Sequence, residues 1–181
     1  FIHAITAGAV GFTLLASALP AAASSHWVTV NAGDLLKLPD DGNSGTTLDT
    51  AVYYFGADGL RYVFPNSGTY FTWYSNFNNV KDISMEQLGT IGIGGNVTYR
   101  PGVKMIKIDS DPKTYAIDRG GARRHVTSEA VAIALYGLNW SRQVHDMPDS
   151  FFTNYPDGQP IADAQDFQPA AASSSNPDIS T

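Results

Sequence analysis

Cysteine is absent from the 181-residue sequence, which excludes disulfide staples and thiolate metal sites alike. Charge is sparse as well. Acidic and basic residues together make 15%, and 17 acids against 11 bases leave a net charge of −6. The basic surface that a phosphate backbone selects is missing, so nucleic acid is not expected as a partner. The histidines are His3, His26, His125 and His145, and none shares a helix face with another ligand at zinc spacing. His125 also sits beside Arg123 and Arg124, which oppose a metal. Neither "DGNSG" nor "DSDP" completes a calcium loop with its closing Glu, and Asx-turns account for both. "GIGGN" precedes a strand rather than a helix, so it makes no phosphate cradle. A nucleophile elbow and a Ser/His/Asp signature are missing too. The expectation is a protein without catalytic residues, cofactor or metal.

Charged side chains are also missing from Phe1 to Leu19, where His3 is the sole titratable group. The sequence opens on Phe1 rather than Met and no basic stretch precedes it, so it is read as a mature chain from which a leader has been removed. Pro20 stops a helix, and Ala21-Ala22-Ala23 would suit a signal peptidase. At about 1.5 Å per residue, a helix of this length barely crosses the roughly 30 Å of a bilayer core. Ala4/Gly8 and Ala7/Gly11 form small-xxx-small pairs that let helices approach closely. A helix apolar all round must be buried on every side. Three readings follow: a cleaved signal peptide, a single-membrane anchor, or a packing surface for copies of the chain. The third assigns Phe1, Ala4, Ile5, Gly8, Gly11, Phe12 and Leu15 to an assembly interface.

The mature Phe1 followed by an apolar stretch and a β-rich head resembles type IV pilins and their relatives. The resemblance covers about the first 23 residues. It departs from many bacterial pilins at Ile5, where they carry Glu. It implies a structural subunit of an extracellular pilus-like filament, with membrane residence before assembly and a homo-polymer afterwards. The alternative is a membrane-anchored adhesin or surface-layer component, whose head binds surface sugars, a host surface or another protein.

The remainder reads as strands and short helices. "AVYYFGADGLRYVFP" is a hairpin with its turn at Gly56-Ala57-Asp58-Gly59. "TYFTWYSNF" reads as a short helix. Ser84 caps "SMEQL", with Gln87 completing a capping box. "VTYRPGVKMIKI" reads as strand, turn, strand. Ser128 caps "EAVAIALYG", and Pro148 opens "PDSFF". "YYFGADGLRYVFPNSGTYFTWY" lies on "YAIDRGGARRHVTSEAVAIALY" without a gap, bringing Tyr53 onto Tyr115, Arg61 onto Arg123 and Tyr74 onto Tyr136. A unit of about sixty residues is thus present twice, over 52–97 and 114–161.

The expected fold class is α+β: a long apolar N-terminal helix (1–23), then a β-rich head with short helices (24–162) built on that repeat. The Ala/Ser/Pro-rich tail (163–181) lacks a base and a core of its own, and is expected to lie on a neighbouring subunit or on its own head.

The stretches "VYYFGADGLRYVFPN", "YFTWYSNF", "IGGNVTYRPGVKMIKI" and "YGLNW…FFTNY" resemble a module in predicted surface proteins of small-celled candidate-phyla bacteria. That resemblance implies a cell-surface, extracellular location. Asn96-Val97-Thr98 and Asn139-Trp140-Ser141 are sequons, so Asn96 and Asn139 are candidate N-glycosylation sites. Tyr70, Phe71, Trp73 and Tyr74 form an aromatic cluster that suits either a core or sugar stacking.

Overall fold

A computed structural model describes residues 27–179. Phe1, Ala4, Ile5, Gly8, Gly11, Phe12 and Leu15, with the assembly interface and the N-terminal helix assigned to them, lie outside the described residues, as do His3 and His26.

Strands are short because glycines, prolines and Asx residues punctuate the sequence every few residues. β1 (Leu35–Lys37), β2 (Tyr53–Phe55) and β3 (Arg61–Val63) form an antiparallel meander. Gly59, at φ +79°, makes the β2–β3 turn, in a region of the map that favours glycine. The helix α1 (Ser67–Trp73) follows, capped by Asn66, whose side chain accepts from the Thr69 amide. The chain then returns as β4 (Val80–Asp82), parallel to β1. After α2 (Met85–Thr90) it returns again as β5 (Ile93–Asn96), parallel to β3. The sheet order is β4-β1-β2-β3-β5.

The second sheet repeats this path. β6 (Met105–Ile108), β7 (Asp111–Ile117) and β8 (Arg123–His125) form the meander, and α3 (Glu129–Tyr136) is capped by Ser128. β9 (Val144–Asp146) then pairs parallel to β6, and α4 (Asp149–Phe152) follows. The order β8-β7-β6-β9 is extended past β8 by parallel bridges Arg123–Asp157 and Val126–Ile161, where the first sheet has β5. Leu35 pairs with Tyr54 and Val80, and Met105 with Ala116 and Val144, so the registers correspond. Gly33 and Gly102 donate to Phe55 and Ile117, the last residues of β2 and β7. Each unit therefore includes a leading segment and a first strand, upstream of the hairpin at which the sequence repeat was placed to begin.

The expected α+β class is corrected. The fold is mixed α/β, with two mixed sheets and five short α-helices among the described residues. The reason is the length of the crossovers. Each meander is followed by one short helix and a turn, which carries the chain across the sheet face and returns it parallel. The longest described helix is α3, and no described helix is long and apolar enough to cross a membrane.

Each sheet buries both faces. One face of the first holds Leu35, Tyr54, Phe64, Tyr70 and Val97, and the other Leu36, Leu38, Ile83 and Leu88. The second holds Met105, Ala116, Val126, Val131, Ala132 and Ile161 on one face, with Ile106, Ile108, Tyr115, Ile117 and Met147 on the other. The units join where α1 meets the leading segment of the second repeat. Trp73 Nε1 donates to the Thr98 carbonyl at 2.8 Å, and the Arg100 amide to Thr72 Oγ1 at 3.0 Å.

The tail lies on its own head rather than free of it. α5 (Pro169–Ser174) starts with Pro at its first turn, where the missing amide costs nothing. Phe167 and Ala172 enter the core of the second repeat and Ile179 that of the first. Arg100 binds the Ser173 and Asn176 carbonyls, fixing the strap across both units.

Candidate functional site

The two units differ most between their first two strands. β6 and β7 are joined by Asp109 and Ser110 alone, whereas β1 and β2 are separated by residues 38–52. The additional loop is braced by its own side chains. Asp40 accepts from the Gly42 amide, Asp41 from Asn43 and Asn43 from Gly45, three successive Asx-turns. Asp49 Oδ2 accepts from the Asp41 amide at 3.0 Å, and Thr46 Oγ1 donates to Asp41 Oδ2 at 2.9 Å. Asp40, Asp41 and Asp49 place carboxylate oxygens within 4.8 Å of one another. Those oxygens serve the loop's own amides and hydroxyl.

Together with the β4 edge this loop encloses a groove of about 890 Å³. Its apolar wall is Phe77, Val52 and Val80, and its polar wall includes Lys37, Asn43, Thr46, Thr47, Asp49 and Asp82. Phe77 continues into a second groove of about 430 Å³, lined by Phe64, Tyr70, Asn66, Ser67 and Asn96 and touched by Phe151 of the second repeat. Phe77 is 49% exposed. Its ring stacks on Tyr70 at 4.4 Å and 19°, and Phe71 meets both rings edge-on at 5.4 Å. Tyr70 is fully buried and donates its hydroxyl to the Asn76 carbonyl at 2.7 Å, which fixes the platform from behind. Burial pushes the Tyr70 phenol above its ordinary range, so it stays neutral.

The aromatic cluster read from sequence is therefore divided. Tyr70 is core, Trp73 and Tyr74 are half-buried, and Phe71 is 52% exposed. Burial drives the Tyr74 phenol up to about 12. Phe77, the ring that faces both grooves, was not singled out by sequence. Its signal is a lone aromatic in the polar run "SNFNN".

Asn96 is half-buried on β5, where it lines the smaller groove beside Phe77, and Val97 beside it is core. Asn139 is exposed on the turn after α3, and its side chain makes no capping bond. The remaining histidines are apart. His145 Nδ1 lies 3.1 Å from Tyr99 Oη at the joint between units, and His125 lies on β8 with its ring 5.9 Å from that of Tyr115.

No protein-family model, curated protein or solved structure matches the chain.

Proposed function

We propose that the chain is a non-catalytic cell-surface protein whose duplicated head faces outward and recognises a partner in the groove beside Phe77. One observation carries this reading. The additional loop between β1 and β2 is almost wholly exposed over 39–48, costs chain entropy to order, and exists in only one of two matched units. A braced loop beside a half-exposed ring on a rigid scaffold is the arrangement in which recognition residues are ordinarily carried. The uncharged stretch Phe1–Leu19 supports attachment to a membrane.

A second reading, a subunit of an extracellular pilus-like filament, is favoured by the small-residue spacing Ala4/Gly8 and Ala7/Gly11. Copies of the chain would then be its partners, and the head would coat the polymer.

Intact cells that make the protein test both. Antibody against the head labels them if the location is right, and internal protein alone refutes it. Negative-stain images of sheared surface material show labelled fibres for a polymer and none for an anchor. Phe77→Ala should weaken attachment of protein-coated beads to a target surface while the head stays folded, as circular dichroism reads. Undiminished attachment would remove the groove from the proposal.

A further inference from the structure

The second repeat has a groove at the place where the first has Phe77. It measures about 270 Å³ and lies between the second and third strands, the helix cap and the connection after the helix. Its lining follows that of the first groove position by position. Val52 corresponds to Thr114, Asn66 to Ser128, and Tyr70 to Ala132, as the strand registers and the two helix caps require. An aromatic residue from the same connection walls each groove, Phe77 in one and Trp140 in the other. The exchange behind the ring is compensating. Tyr70 backs the smaller Phe77, whereas Ala132 leaves room for the larger indole of Trp140, which packs on that core.

From this duplication we infer that the head is bivalent, each repeat holding one neutral pyranose unit of a polysaccharide against its aromatic wall. The inference rests on the recognition reading above and names its ligand class. The linings choose the class. The smaller groove beside Phe77 is lined by no charged residue, and the Trp140 groove by one base and one acid, Lys113 and Glu129, beside His125, so neither presents a charge of one sign to a strongly charged ligand. What remains is a ring face beside hydroxyl and amide groups. A sugar matches both at once, with its C–H face on the ring and its hydroxyls on the polar rim. A flat aromatic side chain gives such contact at low entropy cost. Two sites on one rigid head raise the avidity for a repeating polymer by roughly 10²–10⁴ when both can engage.

The test uses the full chain in mild detergent, titrated calorimetrically with a panel of neutral hexose and N-acetylhexosamine trisaccharides and with acidic counterparts. Two equivalents of one neutral trisaccharide are expected for the wild type. Phe77→Ala and Trp140→Ala should each leave one, and the double variant none. Phe77→Tyr and Trp140→Phe, which keep a ring and the fold, should retain both. On the matching immobilised polysaccharide each Ala variant should lose at least about tenfold in apparent affinity. A wild-type stoichiometry of one, or loss through one variant only, overturns bivalency, and the variant that loses binding shows which groove remains. Binding to acidic members alone, or to none, overturns the carbohydrate class, while bead attachment judges the recognition reading separately.

Discussion

Arg61 and Arg123 hold matched places in the two repeats, yet only Arg123 has a partner for its Nε. Each reaches from the start of the third strand to a carbonyl of the helix after the parallel return. Arg61 donates to Leu88, and Arg123 to Phe152 at 2.7 Å. Each guanidinium also lies over a ring, Arg61 over Tyr53 at 5.1 Å and Arg123 over Phe152 at 3.8 Å. Arg123 Nε finds Asp157 at 2.7 Å, from the residue that bridges to Arg123 across the strands. The residue paired with Arg61 is Ile93, which is 68% exposed, and Arg61 Nε is buried without a partner.

Ile93→Asp should therefore stabilise the protein. It removes an exposed side chain that contributes little and supplies an acceptor where the second repeat has one. The expected gain is that of one hydrogen bond, about 0.5–1.5 kcal/mol. Chemical denaturation measures it, with Arg61→Lys/Ile93→Asp as the control in which the gain should vanish. No gain in the Arg61 background would show that the unpaired Nε is not accessible from position 93.

Gly102→Ala should loosen the C-terminal strap. Gly102 has φ +73°, and an added Cβ would come within 2.0 Å of the Pro169 carbonyl oxygen at the start of α5. The backbone conformation alone costs a non-glycine residue about 1–3 kcal/mol, and the collision adds to it. Limited proteolysis should cut the variant between residues 162 and 175 well before the wild type. Equal resistance would mean that the strap is held elsewhere, for instance by Arg100.

Much of the local structure is legible in the sequence, and the reasons are local. Gly56 to Gly59 mark a hairpin and Ser128 a helix start, because turn and cap residues act through neighbouring amides. Ser84 likewise accepts from the Gln87 amide, but Gln87 does not return to Ser84. Its side chain instead binds both the amide and the carbonyl of Val28. That choice depends on a segment 59 residues away, which no capping pattern encodes. The parallel returns were missed for the same reason, since β4 and β9 are three-residue strands whose direction is set by partners. Of the grooves, sequence shows the aromatic neighbourhood but not Phe77 or the pairing of Phe77 with Trp140. Those emerge only when the registers of two sheets are compared.

Tyr155→Phe should be costly for so small a change. The buried Tyr155 hydroxyl accepts from the Tyr99 amide at 3.0 Å, and Phe leaves that buried donor unpaired. The expected loss is about 1–3 kcal/mol. Burial raises the Tyr155 phenol far above its ordinary range, so the hydroxyl is neutral at all working pH values. The comparison with Phe152→Leu, which perturbs packing without orphaning an amide, separates hydrogen bonding from volume. Equal effects of the two variants would contradict this account.

Acid should weaken the joint between the repeats through His145. The imidazole lies on β9, beside Tyr99 from the leading segment of the second repeat and near Gly68 of α1 from the first. Burial lowers its pKa, Lys104 adds to the effect, and Asp146 opposes it. A folded-state pKa below the unfolded value of 6.5 means that the unfolded chain binds the proton first. Stability is thus complete above about pH 6.5 and falls as pH drops from there towards the folded pKa. His145→Gln retains a polar partner for Tyr99 and cannot titrate. The stability difference between wild type and variant should therefore shift against the wild type between about pH 6.5 and 5, before the carboxylates dominate. Trp73 fluorescence is a suitable probe, because its indole donates to Thr98 across the joint. Parallel pH profiles for the two proteins would exclude His145 as the titrating group at this joint.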